Sequence, residues 1–339
     1  MDDELESPKK SRFVTWPKKI AASALIWGVL WLILEILLRF LGYGDFIIYK
    51  SDGELLWVPR SNQMGKTVVG RRPITINDQG LRYRVDLTLK NPNEHRIVAF
   101  GDSVTMGWGL DDDSHYSAVL EKRLTESYPE GRFRVVSAGV NAYPTVLCVR
   151  RFIKMLERGD QIDTAILAYS FNNGYERLAG LDEDGRRRFM RKVQLKSVLR
   201  RSAIYNLVIE DWLRNAVYYR VRGRLMAGSW ETDQKHGGDD LDVYIANLER
   251  MRTESEKHGV RLIFLLLPSK GQQAELSEFQ KAFSEFAQNH GVPLVNIIER
   301  FELLNHGSLF MDHTHPSSQG HALIAESLFP IAAELPEQP

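Results

Sequence analysis

Residues 20–41 are apolar or small at every position except Glu35 and Arg39. Wound as a helix at about 1.5 Å per residue, they reach roughly 33 Å, enough to cross the hydrocarbon core of a bilayer. A helix lying on a globular core would show a polar stripe, and none exists between residues 20 and 34. A charge at the bilayer centre costs about 2.5–3.5 kcal/mol, but both charges lie toward the C-terminal end, where that cost falls. Their i,i+4 spacing with the acid first also lets them pair. A cleaved signal peptide fits less well, because a long flank precedes the run and Gly42-Tyr43-Gly44 is a poor cleavage site. The segment reads as a single membrane anchor. Lys9, Lys10, Arg12, Lys18 and Lys19 precede it, and only Lys50 follows closely after Arg39. The positive-inside rule then expects residues 1–19 in the cytosol and the rest of the chain outside it, which is the periplasm if the source is a Gram-negative bacterium.

The remainder is long enough for one large domain or two small ones. Hydrophobic content of 43% and charged content of 26% are globular averages, which exclude wholesale disorder. Lys+Arg and Asp+Glu are equal at 44 each, so no global charge argues for nucleic acid, and none is expected as a partner. A single cysteine, Cys148, excludes a disulfide framework and any Cys-rich zinc module. It falls in an apolar helical run and reads as a small buried hydrophobe.

Residues 42–95 carry short apolar runs and turn signals such as Ser51-Asp52-Gly53, and read as short strands and loops. From residue 96 to about 335 a regular alternation follows. Strands are expected at Ile97–Phe100, Phe133–Ser137, Thr164–Tyr169, Arg261–Pro268 and Pro293–Ile297. Helices are expected at His115–Ser127, Thr145–Leu156, Leu241–His258, Ala274–His290 and Ser317–Phe329. Near-continuous apolar strands alternating with amphipathic helices predict an α/β three-layer sandwich around a five-stranded parallel sheet. Ligands in such sheets bind at the carboxyl ends of the strands.

Those ends hold the polar residues of interest. Strand one runs into Gly101-Asp102-Ser103, where a serine just past a buried strand presents its hydroxyl and backbone N–H. Strand two ends in Ser137-Ala138-Gly139, where a glycine allows close approach to the backbone. Strand three ends in Ser170-Phe171-Asn172-Asn173, which supplies amide donors. Downstream lies Asp312-His313-Thr314-His315-Pro316, an acid and a base three residues apart before a helix. No Gly-x-Ser-x-Gly elbow is present, which counts against the lipase-type α/β-hydrolase fold.

In this order the four blocks resemble the SGNH (GDSL-type) hydrolase family over roughly residues 96–330. The resemblance implies Ser103 as nucleophile, Asp312 and His315 as its acid–base partners, and an oxyanion hole of Ser103, Gly139 and Asn172. It implies no cofactor and no metal. One departure is visible: the third block usually reads Gly-x-Asn-Asp, and here it is Ser170-Phe171-Asn172-Asn173. A serine hydroxyl needs a base to take its proton, and the anion formed on the carbonyl oxygen needs donors aimed at it. The activity implied is hydrolysis of ester-linked acyl groups, with acetyl groups on an envelope polysaccharide or another acylated carbohydrate as the substrate class. An O-acyltransferase with the same residues and a non-catalytic tethered subunit of polysaccharide assembly are the alternatives. His313 with His315 is a metal-ligand fragment lacking a second ligand cluster. His321 reads as structural, and Asp111-Asp112-Asp113 as a solvated loop.

One segment interrupts the alternation, an insertion at about residues 176–240. Between residues 186 and 224 it holds twelve Arg or Lys against Glu210 and Asp211, interleaved with residues such as Leu195, Val198, Val208, Trp212, Tyr218 and Tyr219. It reads as helical with a basic and an apolar face. Two roles stay open: a solvated face packed on the domain, or contact with anionic lipid or an anionic polymer.

Overall fold

The computed structural model describes residues 16–334, except 88, 89, 92, 130, 131, 172, 214–237, 273, 274 and 305. Helix α1 (Trp16–Leu38) winds on through wider π-type turns at Arg39–Tyr43 and ends where Gly42 takes φ 88°. It begins earlier than expected, at Trp16, and is long and apolar enough to cross a membrane. Its apolar side chains face outward along nearly the whole length, from Trp16 to Phe40. Two antiparallel hairpins follow, β1 (Tyr49–Asp52) with β2 (Leu56–Pro59), and β3 (Gln63–Lys66) with β4 (Pro73–Ile76).

The main body is built on β5 (Glu94–Phe100), β6 (Arg132–Ser137), β7 (Thr164–Ala168), β8 (Arg261–Leu266) and β9 (Leu294–Asn296). They form one parallel sheet in the order β6-β5-β7-β8-β9, with Val98 opposite Val136 and Ala165, and Ala165 opposite Leu262. Successive side chains alternate between faces. Val98, Phe100, Leu167 and Phe264 enter one core, against α4 (Thr145–Glu157), α7 (Gly238–Lys257) and α8 (Glu278–Asn289). Ile97, Ala99, Ile166 and Ile263 enter the other, against α3 (Tyr116–Ser127), α9 (Ile298–Leu303) and α11 (Ser318–Ala333). Burying such a side chain stabilises by roughly 1.5–3 kcal/mol, which is why these strands read as unbroken apolar runs. Because β5 lies between β6 and β7, its helix and that of β6 cover opposite faces, and a crevice opens at the carboxyl ends of β5 and β7.

Helix α8 starts later than the apolar spacing suggests. Ser277 accepts from the Gln280 N–H and the Gln280 side chain accepts from the Ser277 N–H, a reciprocal cap that sets the start at Glu278. The insertion supplies a 3-10 stretch (Asn173–Gly180), α5 (Glu183–Leu199) and α6 (Ala203–Tyr205), which runs into π-type turns through residues 206–213. No side chain of α5 is buried, so its apolar residues Leu195 and Val198 are exposed rather than packed on the domain. Tyr218, Tyr219 and the cations beyond residue 213 lie outside the described residues. A short α10 (His306–Leu309) precedes the last loop.

Candidate active site

Helix α2 (Ser103–Met106) is a single turn inserted directly after β5. The Asp102 carboxylate caps it by accepting from the Val104 N–H at 2.9 Å, and Gly107 closes it with φ 71°. Ser103 is therefore the first residue of a capped turn at the end of a buried strand. Its Oγ lies 2.8 Å from Nε2 of His315. His315 sits in the loop before α11, 212 residues away in sequence. Its Nδ1 lies 2.7 Å from Asp312 Oδ2. Asp312 Oδ1 accepts from the backbone N–H groups of Thr314 and His315, at 2.9 and 2.8 Å. Burial pushes the Asp312 carboxyl up, but the His315 side chain and these two N–H donors outweigh it and bring it down to about 2. Asp312 is thus an anion at neutral pH, able to keep the proton of neutral His315 on Nδ1 and leave Nε2 as an acceptor toward Ser103. The Trp108 ring packs beside the imidazole, with centroids 5.9 Å apart.

Gly139 lies against α2. A Cβ there would come within 2.4 Å of the Met106 backbone nitrogen, so glycine is required by close approach of two backbones. Its N–H makes a long contact to Ser137 Oγ, at 3.3 Å. Asn172, expected as the third oxyanion donor, lies outside the described residues. Ser103, Asp312, His315 and Gly139 thus converge on the carboxyl ends of β5 and β6, while Asn172 is not placed.

Three residues to which the sequence reading assigns no role shape this corner. Asp102 accepts from the Phe171 N–H at 3.0 Å as well as from Val104, joining the loops after β5 and β7. Complete burial pushes its carboxyl up, opposed by those N–H donors. Arg82, 1% exposed, donates to the carbonyls of Met106, Gly107 and Leu110 and to Asp112, and so holds the loop that carries Trp108. Asp112 is therefore the largely covered partner of a buried arginine, which corrects the reading of residues 111–113 as a solvated loop at that one residue, while Asp113 stays exposed. Glu176 is buried and accepts from the Val146 N–H at 3.0 Å, capping α4, whose own N-cap position is Pro144. Burial pushes Glu176 up to about 8 despite that bond.

His321 accepts from the Tyr116 N–H at 3.0 Å and stacks on the Tyr116 ring, a structural role. Burial drives its imidazole down to about 3. Cys148 is buried, and burial raises its thiol well above the ordinary range. Among the described residues no three His, Cys, Asp or Glu side chains converge as a metal site would require. Beside Trp108 a shallow groove, partly open to solvent, is lined by Ile47, Tyr49, Lys66, Met106, Asn141 and Arg200.

Solved structures with a similar course of chain include the lipase/acylhydrolase from Enterococcus faecalis, 14% identical, with a TM-score of 0.43 over 72% of this chain and 100% of that one. An acetyl xylan esterase is 12% identical, with a TM-score of 0.44 over 70% of this chain and 98% of its own. An alpha/beta hydrolase enzyme from the metagenome of Lake Arreo, Spain, is 17% identical, with a TM-score of 0.46 over 74% and 99%. No curated protein matches the sequence. The family model described as GDSL-like lipase/acylhydrolase matches residues 99–323, from the end of β5 into α11 and more than half of the chain. The chain therefore belongs to that family and is a carboxylic ester hydrolase.

Proposed function

We propose that this protein is a membrane-anchored serine esterase that removes acyl groups, acetyl foremost, from a carbohydrate outside the cytoplasm. The contact of 2.8 Å between Ser103 Oγ and His315 Nε2, with Asp312 behind Nδ1, carries the reading. In the first step Ser103 Oγ bonds to the ester carbonyl carbon as its proton passes to Nε2. The tetrahedral anion would be held by the Ser103 and Gly139 N–H groups. Its collapse breaks the bond to the alcohol oxygen, which takes the proton from the imidazolium and leaves. Water, deprotonated by the same Nε2, then releases the carboxylic acid and restores Ser103. The exposed apolar length of α1, the basic residues before it and the short distance from Tyr43 to β1 support an anchor with the main body outside the cytosol.

A serine-directed phosphonate should add its mass to the peptide bearing Ser103, and Ser103→Ala should lose about 10⁴-fold or more of ester turnover with an unchanged thermal midpoint. Label elsewhere, or near-normal turnover in the variant, would overturn the assignment. Acetylated oligosaccharide supplied with an unacetylated acceptor separates the two enzyme chemistries, because free acetate marks hydrolysis and an acetylated acceptor marks transfer.

A further inference from the structure

The insertion between β7 and β8 is fastened to the last turns of the apolar helix. Glu35, 6% exposed, accepts from the Ala203 N–H at 2.7 Å, the Ile204 N–H at 3.1 Å and the Ser202 hydroxyl at 2.9 Å. Arg39 bonds Glu35 at 2.9 Å and reaches the Arg201 carbonyl. Asn206 donates to the Tyr43 carbonyl at 2.7 Å. Just before this junction Arg200, buried, makes a two-pronged pair with Glu210 at 2.9 and 3.2 Å and donates to the Ile47 carbonyl. Residues 200–210 are thus locked against residues 35–47.

Depth along α1 then fixes where this element lies in a bilayer. From Ile20 to Glu35 the helix rises about 22 Å, roughly 8 Å short of crossing a core of about 30 Å. Ser202–Ile204 consequently meet α1 about 8 Å below the far face of the core, in the outer acyl-chain region, and the residues that continue from this junction lie toward the headgroups. Around that junction Leu195, Val198, Val208, Ile209, Trp212 and Leu213 are exposed, Trp212 by 64% and Val198 by 61%. Among the described residues no part of the domain covers them. Arg191, Lys192 and Arg201 are interleaved with them, the mixture of apolar, tryptophan and cationic residues that suits the headgroup layer.

We propose that the end of α5 and residues 202–213 form an interfacial membrane element, seated in the headgroup–acyl boundary of the bilayer that α1 crosses. The occupant of the exposed apolar surface is phospholipid, with the cations at the phosphate level. The proposal rests on the anchor reading of α1.

The test uses the full chain in vesicles of zwitterionic and anionic phospholipid. Val208→Cys and Trp212→Cys would each carry an environment-sensitive fluorophore, with Lys122→Cys on α3, across the sheet, as the control. All three sites are exposed, the native Cys148 is buried, and unchanged turnover of a small soluble ester verifies the fold. Doxyl groups on the acyl chains should extinguish the labels at 208 and 212 and leave the one at 122 bright. Equal brightness at all three sites, in a chain that resists alkaline carbonate extraction, overturns the interfacial element and leaves the anchor standing. A disulfide between copies at position 208 with no quenching would make the patch a protein interface and also overturns it. Extraction of the chain by carbonate instead removes the anchor reading on which the proposal rests.

Discussion

At the active-site rim the Asp102 carboxylate accepts from the N–H groups of Val104 and Phe171, and at the end of α1 the Glu35 carboxylate accepts from those of Ala203 and Ile204. Each buried acid caps the start of a short helix, and each ties together segments distant in sequence, 69 residues apart in one case and 168 in the other. The settings differ in what moves if the tie is cut. Asp102 joins two loops that flank the serine, so its loss displaces reacting groups. Glu35 joins the main body to α1, so its loss loosens that junction and should leave the chemistry alone. Glu176 stands between them: it caps α4 within the main body, and burial pushes its carboxyl up to about 8. The same contact thus serves alignment, support or attachment according to what it joins.

The largest effect is expected at Asp102. Asp102→Ala leaves two buried N–H groups without their acceptor, at about 1–3 kcal/mol each. The rim would shift, and a displacement of about 1 Å at a reacting centre costs on the order of 10²-fold in turnover. Steady-state kinetics and a thermal melt on the purified chain check both numbers; wild-type turnover together with a wild-type melt would dissolve the distinction drawn here.

Next in size is a pH effect at Glu176. Its carboxyl is raised from an ordinary 4.5 to about 8 in the folded chain. The folded state therefore binds the extra proton across that window, so stability from this group is complete below about 4.5 and is lost as the pH rises toward 8. Denaturant melts of the wild type should weaken over that range relative to Glu176→Gln, which cannot ionise. Parallel pH profiles for the two proteins would mean that Glu176 does not hold its proton in the folded chain.

The smallest effect belongs to Glu35. Glu35→Ala removes a cap worth about 0.5–2 kcal/mol. Turnover of a soluble ester by the detergent-solubilised chain should stay at the wild-type level, while amide exchange at residues 203–206 quickens. Slower turnover would show that attachment and chemistry are coupled after all.

Much of this molecule is legible in its sequence. The five strands are apolar runs because both faces of the sheet are covered, and Ser103, Gly139, Asp312 and His315 stand in short local blocks at strand ends. Asp312 and His315 are three residues apart, so their mutual contact is almost a property of the loop. What is not legible depends on partners far along the chain. Nothing near Arg82 signals that its guanidinium will hold the carbonyls of residues 106–110, and nothing near Glu35 points to Ala203. Asp112 is misread for the same reason: its neighbours Asp111 and Asp113 suggest a solvated acidic loop, and the buried cation that draws it inward lies 30 residues upstream. The start of α8 is a finer case, in which a cap at Ser277 overrides an apolar spacing that begins earlier.

The groove beside Trp108 has a consequence of distance. One wall is the tryptophan packed on His315, and another is Arg200, two residues from the serine that meets Glu35. A flexible tether of twenty residues would let an enzyme roam roughly 25 Å around its point of attachment. Here the lock between the insertion and α1 removes that freedom, so with α1 in a bilayer the mouth of the site keeps one fixed height above the lipid. If the proposed function holds and the ester is carried on a polymer, selection would then have a spatial component that no pocket residue supplies, since only groups reaching that height would meet the site.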